Sequence, residues 1–332
     1  MSLDPSLDQA LRAFITADQG GFEDLALRLF AWQRQHNPDY RALCADAPAP
    51  TRWQEIPPVP VGLFRDLPLT SFPPEQARVL FRTSGTTVGK RGECRALDTE
   101  LYDLGARRHA LACLGPLPAA GVALVPYEAD SSLGHMCQDF VPGMPTFLTP
   151  ERGLDLAGAW QALAQAREPL FLPTTAFALD ALLDEGPAAP LPLPAGSLVM
   201  VTGGGKGREM RRSEAELVEQ TEARLPGARV VGEYGMTELS SQLWSERPGL
   251  PYRPPPWLGV QALDPATGAP LPPGSEGLLA FVDLANRWTV LAIETQDLGV
   301  VDPAGRVQLR GRLSGAPLRG CSLAAAEALD RR

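Results

Sequence analysis

A stretch rich in hydroxyl groups and glycine follows a short apolar run near residue 80. Residues 79–81 predict a short buried strand, and residues 83–92 then supply threonine, serine and glycine together with Lys90. Glycine lets backbone N–H groups approach phosphate oxygens, hydroxyl groups donate to the same oxygens, and an ammonium group neutralises their charge. The stretch is therefore typical of a loop that holds a polyphosphate, with an ordinary polar turn as the alternative. It is not a Walker A loop, because Arg91 stands where Ser or Thr would hold magnesium.

Lysine occurs only in two glycine-rich stretches of the sequence. The 30 basic residues include two lysines, Lys90 and Lys206, and the second lies in the stretch 202–207. A compact ammonium group can sit as a point charge among phosphate oxygens, where the planar guanidinium group of arginine fits less well. We therefore interpret both lysines as candidate catalytic residues, with chance placement of two residues as the alternative.

Composition and charge narrow the class of protein. A chain of 332 residues with 44% hydrophobic and 21% charged residues can bury one large or two modest cores. A net charge of −9 disfavours nucleic acid as the main partner. No apolar run approaches the roughly 20 residues of a membrane span, and the first residues lack the pattern of a signal peptide. Five widely spaced cysteines fit a reducing, cytoplasmic location, and neither they nor the three histidines have the spacing of zinc ligands.

Helices and strands alternate through the middle of the chain. The first fifty residues predict amphipathic helices, residues 51–69 a proline-rich extended segment, and residues 131–136 a loop. The remaining predicted helices cover 98–114, 155–166, 174–186, with Thr174 as the cap, and 213–225, with a capping box at Ser213 and Glu216. The remaining predicted strands cover 121–126, 169–172, 197–201 and 229–233. This alternation predicts an α/β fold with a mainly parallel sheet flanked by helices.

Three unusual loops begin where predicted strands end, over 83–92, 202–207 and 234–238. Ligands of parallel sheets bind beyond the carboxyl ends of the strands, so these loops are expected to converge on one crevice. After Trp257 the pattern changes to short apolar runs separated by proline and glycine, which predicts a β-rich lobe. The predicted organisation is a helical arm and proline-rich entry (1–70), an α/β core (71–256), a β-rich lobe (257–312) and a tail (313–332).

Four motifs occur in order between residues 83 and 312. They are Thr83-Ser84-Gly85-Thr86-Thr87 followed by Lys90, then Tyr234-Gly235-Met236-Thr237-Glu238, then Asp297, then Gly311-Arg312. This order resembles the acyl-adenylate-forming superfamily, which includes acyl-CoA synthetases, firefly luciferase and the adenylation domains of peptide synthetases. The resemblance implies the fold of the large N-terminal domain of these enzymes, with ATP and Mg²⁺ as cofactors.

The resemblance also implies roles for individual residues. The 83–90 loop would hold the β- and γ-phosphates, Tyr234 would stack on adenine, Thr237 would bond the α-phosphate, and Glu238 would bind magnesium. The implied nucleotide-binding residues are Thr83, Ser84, Gly85, Thr86, Thr87, Gly203, Gly204, Gly205, Tyr234, Gly235, Thr237, Asp297 and Arg312, the last two on the ribose. Taken one at a time, a core tyrosine, a carboxylate at a helix start and an aspartate in a turn are the alternatives.

The sequence departs from the superfamily pattern in three places. The phosphate loop continues Val88-Gly89-Lys90-Arg91-Gly92 in place of Gly-x-Pro-Lys-Gly, and Ser314 replaces the hinge aspartate. Typical members also carry a mobile lid domain with a catalytic lysine, whereas residues 313–332 contain no lysine. Lys90 and Lys206 are therefore the candidates to replace the lid lysine.

Among these enzymes, the acyl-protein synthetase family of bacterial bioluminescence is the most similar. The resemblance lies in the helical arm, the entry 56–60 and the stretch 131–133. It implies a form without the lid, a fatty-acid substrate, a reductase partner and an acyl group carried on a cysteine near the C-terminus. Cys321 is the candidate nucleophile, since neighbouring arginines favour a thiolate, and a small packed cysteine is the alternative. Ser132 and His135 would line the acyl pocket, and a hydrogen-bonded loop histidine is the alternative for His135.

The predicted activity is that of an acid–thiol ligase. A fatty or aryl carboxylic acid and ATP would give acyl-AMP and pyrophosphate, and a thiol would then displace AMP to give a thioester. The acceptor thiol stays open among Cys321, coenzyme A and the phosphopantetheine of an acyl carrier protein. Two alternatives stay open for the whole chain: an ATP-independent acyltransferase that moves acyl groups between thioesters, and a non-catalytic nucleotide-binding scaffold of a reductase or transferase complex.

Overall fold

The computed structural model describes residues 3–83, 90–149, 153–203 and 211–313. The chain divides into two compact units. Unit 1 combines Met1–Ala106, Met236–Ser241 and Arg253–Arg332, and unit 2 combines Arg107–Gly235 and Gln242–Tyr252. Both units are assembled from segments that are distant in sequence, and they cut across the four segments predicted above, which remain a prediction.

Eight α-helices and fourteen strands lie in the described ranges. The helices are α1 (Pro5–Ala17), α2 (Phe22–His36), α3 (Pro38–Leu43), α4 (Glu100–Leu114), α5 (Ser132–Phe140), α6 (Leu156–Ala164), α7 (Ala176–Glu185) and α8 (Glu214–Arg224). The strands are β1 (Val59–Pro60), β2 (Val79–Arg82), β3 (Glu93–Ala96), β4 (Ala120–Gly121), β5 (Leu148–Thr149), β6 (Gly153–Leu154), β7 (Leu170–Thr175), β8 (Ser197–Thr202), β9 (Ala228–Tyr234), β10 (Leu243–Ser245), β11 (Leu258–Leu263), β12 (Glu276–Asp283), β13 (Ala292–Val301) and β14 (Val307–Arg312). No helix of the described ranges combines the length and the hydropathy that a membrane span requires.

Unit 1 is built on a mainly antiparallel sheet with the order β1-β13-β12-β11, to which β14 adds by pairing with β13. The predicted β-rich lobe after Trp257 is confirmed by β11 to β14. The predicted N-terminal helices are confirmed by α1 to α3. Asp4 caps α1, since its carboxylate accepts from the backbone N–H of Ser6 at 2.8 Å. Residues 51–69 are less extended than predicted, since they include 3₁₀ turns at Trp53–Glu55 and Val61–Arg65 beside β1.

Strand β2 lies outside both large sheets. It pairs in antiparallel fashion with β3, from Val79 opposite Ala96 to Arg82 opposite Glu93. Phe81 is its one buried residue. A strand does form over the predicted residues 79–81, but the prediction that it is buried is wrong, because a two-stranded hairpin leaves most of its side chains half-exposed. The hairpin connects its strands through the glycine-rich stretch.

Unit 2 contains the predicted parallel sheet, with the order β10-β9-β8-β7-β4. Strands β4, β7, β8 and β9 run parallel, and β10 is antiparallel to β9. Apolar residues of α6, α7 and α8 form one core cluster with side chains of β7 to β9. The capping box predicted at Ser213 and Glu216 is confirmed at the start of α8.

Three local predictions in unit 2 need correction. Residues 131–136 form the start of α5 instead of a loop, because the Ser131 hydroxyl caps the helix by accepting from Gly134 N at 3.0 Å. Glycine is required at position 134 because a Cβ there would lie only 2.6 Å from the carbonyl oxygen of Pro126. The strand predicted over 121–126 is reduced to β4 and isolated bridges, and the cap of α7 is Thr175 instead of Thr174.

Candidate functional site

The base of the glycine-rich loop is closed by hydrogen bonds between its two ends. Thr83 N donates to Gly92 O at 3.0 Å, and Gly92 N donates back to the Thr83 hydroxyl oxygen at 2.9 Å. The Arg91 guanidinium group donates to the carbonyl oxygens of Thr83 (2.6 Å) and Arg82 (3.3 Å). Arg91, which distinguishes this loop from a Walker A loop, therefore ties its base together. Lys90, one residue earlier, is exposed.

The Glu238 carboxylate lies beside this loop base within unit 1. A Cβ placed on Gly92 would be 3.1 Å from the Thr83 methyl carbon and 3.6 Å from Glu238 Oε1. Glycine at position 92 thus lets the backbone approach both side chains. We call Thr83, Gly92 and Glu238 the loop-base cluster. It joins a hydroxyl group, a close backbone and a carboxylate that is 6% exposed.

Cys94 is a neighbour of Glu238 that sequence reasoning missed. Burial of the thiol and, to a smaller extent, the negative charge of Glu238 raise the pKa of Cys94 to about 12. Because the thiolate is the nucleophilic form, Cys94 is a poor nucleophile at neutral pH. Its position two residues after Gly92 could have indicated that it lies near the site. Its low reactivity, however, follows from the environment of the thiol in the folded chain.

Asp297 and Arg312 are cross-strand partners at the edge of the sheet of unit 1. Strands β13 and β14 place them opposite each other, and Arg312 Nε lies 3.7 Å from Asp297 Oδ1. A register shift after Leu298 and a left-handed Gly311 (φ +134°) accompany the pair. The arginine side chain is 55% exposed, so the ion pair contributes little stability. The structure brings together two residues that the sequence predicted to act together, and their ribose role stays a prediction.

Polar side chains line up across three neighbouring parallel strands of unit 2, and Trp244 of β10 continues the row. Thr175 pairs with Thr202, Thr202 pairs with Glu233, and Glu233 pairs with Trp244. The Thr202 hydroxyl donates to the Glu233 carboxylate, which is 4% exposed. Thr175, Thr202 and Glu233 lie at the carboxyl ends of parallel strands, the position where ligands of such sheets bind. Sequence reasoning missed Glu233, and the signal was its place immediately before Tyr234.

Backbone conformation marks the loops that follow these strands. Gly203, directly after β8, has φ +65°, a left-handed conformation that favours glycine. A Cβ on Gly235 would lie 2.5 Å from Glu233 Oε1, so the chain passes close to that carboxylate. Tyr234 is half-buried, and its ring centroid lies 6.3 Å from that of Tyr252 in an edge-on arrangement.

Ser132 and His135 share the first turn of α5, and both are half-buried. Their spacing of three residues puts them on one face of the helix. Phe140 of the same helix packs near Phe171 and Trp244, with ring centroids 6.2 and 6.4 Å apart. The acyl-pocket role of the first two residues stays a prediction.

The predicted site residues fall into three groups. Unit 1 holds Thr83, Lys90, Thr237, Glu238, Asp297 and Arg312, and unit 2 holds Ser132, His135, Gly203, Tyr234 and Gly235. The others lie outside the described residues: Ser84, Gly85, Thr86, Thr87, Gly204, Gly205, Lys206 and Cys321.

Sequence comparison finds short matches. No family model matches the chain. A stretch of 80 residues is 32% identical to a long-chain-fatty-acid–luciferin-component ligase of Vibrio harveyi and covers 22% of this chain and 21% of the relative. A stretch of 85 residues is 32% identical to the enzyme of the same name from Aliivibrio fischeri and covers 23% and 22%. The matched stretch thus spans about a fifth of the length of these relatives.

Structural comparison covers most of the chain. ATP-bound MatB from Rhodopseudomonas palustris matches 73% of this chain with a TM-score of 0.54 and 18% identity. The N-terminal domain of the adenylate-forming enzymes has this fold. A luciferase-like enzyme from the Zophobas morio mealworm matches 73% (TM-score 0.54, 15% identity), and the O-succinylbenzoate coenzyme A synthetase MenE from Bacillus subtilis, in complex with AMP, matches 72% (0.51, 19%). The chain spans 49%, 59% and 50% of the lengths of these three proteins. At such identities the likeness shows the fold alone.

Proposed function

We propose that this protein is an acid–thiol ligase that activates a carboxylic acid with ATP and passes the acyl group to a thiol. The first step gives acyl-AMP and pyrophosphate, and the second gives a thioester and AMP. Support comes from the shared fold with enzymes whose structures hold ATP or AMP, and from the short match to fatty-acid ligases. A fatty acid is the substrate class that this match favours.

The observation that carries the proposal is the loop-base cluster. Thr83 begins a loop of hydroxyl and glycine residues, and the Glu238 carboxylate lies beside the point where that loop returns at Gly92. Activation of a carboxylic acid by ATP requires groups that hold the phosphates and neutralise their charge, and little covalent chemistry from the protein. At one place the cluster offers a hydroxyl group that can donate to a phosphate oxygen and a carboxylate that can hold the cation that neutralises the phosphates.

The cluster also fits Mg²⁺. Carboxylate and hydroxyl oxygens are the hard ligands that this ion prefers, and Mg²⁺ is commonly held by one or two carboxylates together with phosphates of the substrate. A bound Mg²⁺ supplies positive charge against the phosphate oxygens. In the proposed site Glu238 would hold the ion, the Thr83 hydroxyl would bond a phosphate oxygen, and Lys90 at the loop margin would neutralise charge.

The acceptor of the acyl group belongs to the second step. The resemblance to acyl-protein synthetases favours Cys321 as the acceptor, with coenzyme A and carrier-protein phosphopantetheine as the other thiols. Attack of the thiolate on the acyl carbonyl forms the C–S bond and releases AMP. Incubation with ATP and labelled acids, followed by intact-mass measurement, tests this assignment. A covalent adduct that is lost in Cys321→Ser supports it, and an adduct retained in that variant removes Cys321 from the mechanism.

The first step is tested by ATP–pyrophosphate exchange over a panel of alkyl and aryl acids. We expect acid-dependent exchange that falls by about 10²–10³ in Glu238→Gln, because the substitution removes the negative charge that would hold Mg²⁺ against the phosphates. Glu276→Gln is the matched control: it is the same substitution at an exposed position of the same unit, and it should leave exchange unchanged. Absence of exchange with every acid, together with acyl transfer between thioesters, would favour the ATP-independent acyltransferase.

A further inference from the structure

The four residues from Glu238 to Ser241 are held by two buried side chains, one at the end of β12 and one in the turn that follows it. Asp283 Oδ2 accepts from Ser240 N at 3.0 Å, and Asp283 Oδ1 accepts from the Ser241 hydroxyl at 2.8 Å. The same Oδ1 accepts from Ala285 N at 2.9 Å, which fixes the carboxylate to its own turn. Asp283 is therefore bonded both to the segment and to the turn.

Asn286 holds the other end of the same segment. Its Nδ2 donates to Glu238 O at 2.8 Å and to Val290 O at 3.2 Å, and its Oδ1 accepts from Ser240 N at 2.9 Å. The backbone on either side of Leu239 is thus bonded to one amide side chain. An amide can do this because it carries a donor and an acceptor at once.

Because Asp283 and Asn286 are buried, their hydrogen bonds strongly restrain the backbone of residues 238–241. Asp283 is fully buried, and Asn286 and Ser241 are 2% and 3% exposed. Water cannot replace a lost partner easily at such positions, so breaking one bond leaves a buried polar group without compensation. Trp257, 1% exposed, closes the arrangement by donating from Nε1 to the Ser241 hydroxyl oxygen at 3.1 Å.

We propose that Asp283 and Asn286 are positioning residues that fix residues 238–241, so that the Glu238 carboxylate keeps its place beside Thr83 and Gly92. Neither residue belongs to the motifs that the sequence reveals. The inference rests on the proposed function, in which Glu238 holds the ion that accompanies ATP. On this proposal, the position of the Glu238 carboxylate beside the loop base depends on residues more than forty positions further along the chain.

A small cleft of about 30 Å³ lies next to this arrangement in unit 1. Its lining includes Cys94, Ser240, Asn286 and Thr289. Because Asn286 forms part of the wall, shortening its side chain would open additional space beside the segment. The Glu238 backbone would then have room to shift, which agrees with a positioning role for the amide.

Asn286→Ala tests the proposal in the full-length protein, with Asn37→Ala as the matched control. Asn37 is also a buried asparagine of unit 1, but its side chain caps α3 by accepting from Tyr40 N at 3.0 Å. We expect Asn286→Ala to raise the Mg²⁺ concentration for half-maximal ATP–pyrophosphate exchange at least tenfold. Asn37→Ala should lower stability without changing the Mg²⁺ requirement. An unchanged Mg²⁺ requirement in Asn286→Ala, with an active wild type, overturns the proposal.

Amide hydrogen exchange of residues 238–241 gives a readout that does not depend on activity. We expect these amides to exchange at least tenfold faster in Asn286→Ala than in the wild type, and to be unchanged in Asn37→Ala. If Asn286→Ala does not fold, Ser241→Ala provides the milder variant, since it removes one bond to Asp283. A wild-type protein that shows no acid-dependent ATP–pyrophosphate exchange refutes the proposed function. The positioning inference is then decided by the amides alone, and unchanged amide exchange overturns it.

Discussion

Asp283 offers a direct test of the electrostatics around the 238–241 segment. Burial raises the pKa of this carboxyl group from 3.8 to about 6, and hydrogen bonds from Ser241, Ala285 and Ser240 oppose the rise. The substitution Asp283→Asn removes the titration while keeping the shape of the side chain. It also turns an amide N–H towards a position where the carboxylate accepted a hydrogen bond, which costs about 1–3 kcal/mol.

The pH dependence follows from the direction of the shift. Because the folded-state pKa lies above the unfolded-state value, the folded protein takes up the proton first as the pH falls. This group therefore adds stability on acidification from about pH 6 towards pH 4, and that stability is lost as the pH rises through 6. A shift of about two units corresponds to about 3 kcal/mol, of which about 2 kcal/mol develops between pH 7 and pH 4.

Urea unfolding of wild type and Asp283→Asn from pH 7 to pH 4 measures this contribution. The other carboxyl groups titrate in both proteins, so the difference between the two free energies of unfolding isolates Asp283. We expect that difference to change by about 2 kcal/mol in favour of the wild type on going from pH 7 to pH 4. The constant cost of the mispaired amide does not affect the change with pH.

Asp264→Asn is a control with the opposite sign. Hydrogen bonds from Ala266 N and Thr267 N lower the pKa of Asp264, so its stabilising effect is lost as the pH falls through the folded-state value. A difference curve for Asp283→Asn that is level between pH 7 and pH 4, or that slopes like the curve for Asp264→Asn, would refute the account of a buried, ionisable carboxyl group.

Three further predictions concern other contacts. Gly92→Ala brings a Cβ to within 3.1 Å of the Thr83 methyl carbon, so we expect ATP–pyrophosphate exchange to fall at least tenfold with little change in the free energy of unfolding; equal exchange rates would contradict the close approach. Arg287→Met removes a guanidinium group whose side chain is 4% exposed and paired with three carboxylates. We expect the free energy of unfolding in urea to fall by about 3 kcal/mol. The control Arg28→Met, at an exposed ion pair, should lower it by less than about 0.5 kcal/mol. Cys94, whose pKa is raised to about 12, should resist iodoacetamide at pH 8 in the native state and react after unfolding, as followed by peptide mass. Rapid native labelling would contradict the raised pKa.

Local sequence patterns predict much of the secondary structure. Strands β7, β8 and β9 and the helix α8 appear where continuous apolar runs and a capping box indicate them. These signals are local, because strand burial and helix capping depend on residues a few positions apart. The helix α5 was missed for a related reason. Gly134 is a poor helix former on its own, and its role becomes apparent only from the nearby carbonyl of Pro126.

The sequence identified many residues of the candidate site, but it did not predict how they contact one another. Thr83, Glu238, Asp297 and Arg312 were identified from short motifs, and the structure shows the contacts of Glu238 with the loop base and of Asp297 with Arg312. Glu233 and Cys94 were missed, since neither stands out by residue type. Their chemical character comes from burial and from neighbours in other parts of the chain, Thr202 and Glu238.

The amino-acid sequence by itself determined the alternation of helices and strands, the hydroxyl- and glycine-rich loop, and the order of the motifs. These properties depend on the period and the chemistry of neighbouring residues. Tertiary structure alone decided that Gly92 meets Glu238, that Asp283 and Asn286 hold the segment after it, and that each unit combines distant parts of the chain. The physical reason is that burial and long-range hydrogen bonds depend on which surfaces pack together, and no local pattern encodes that choice.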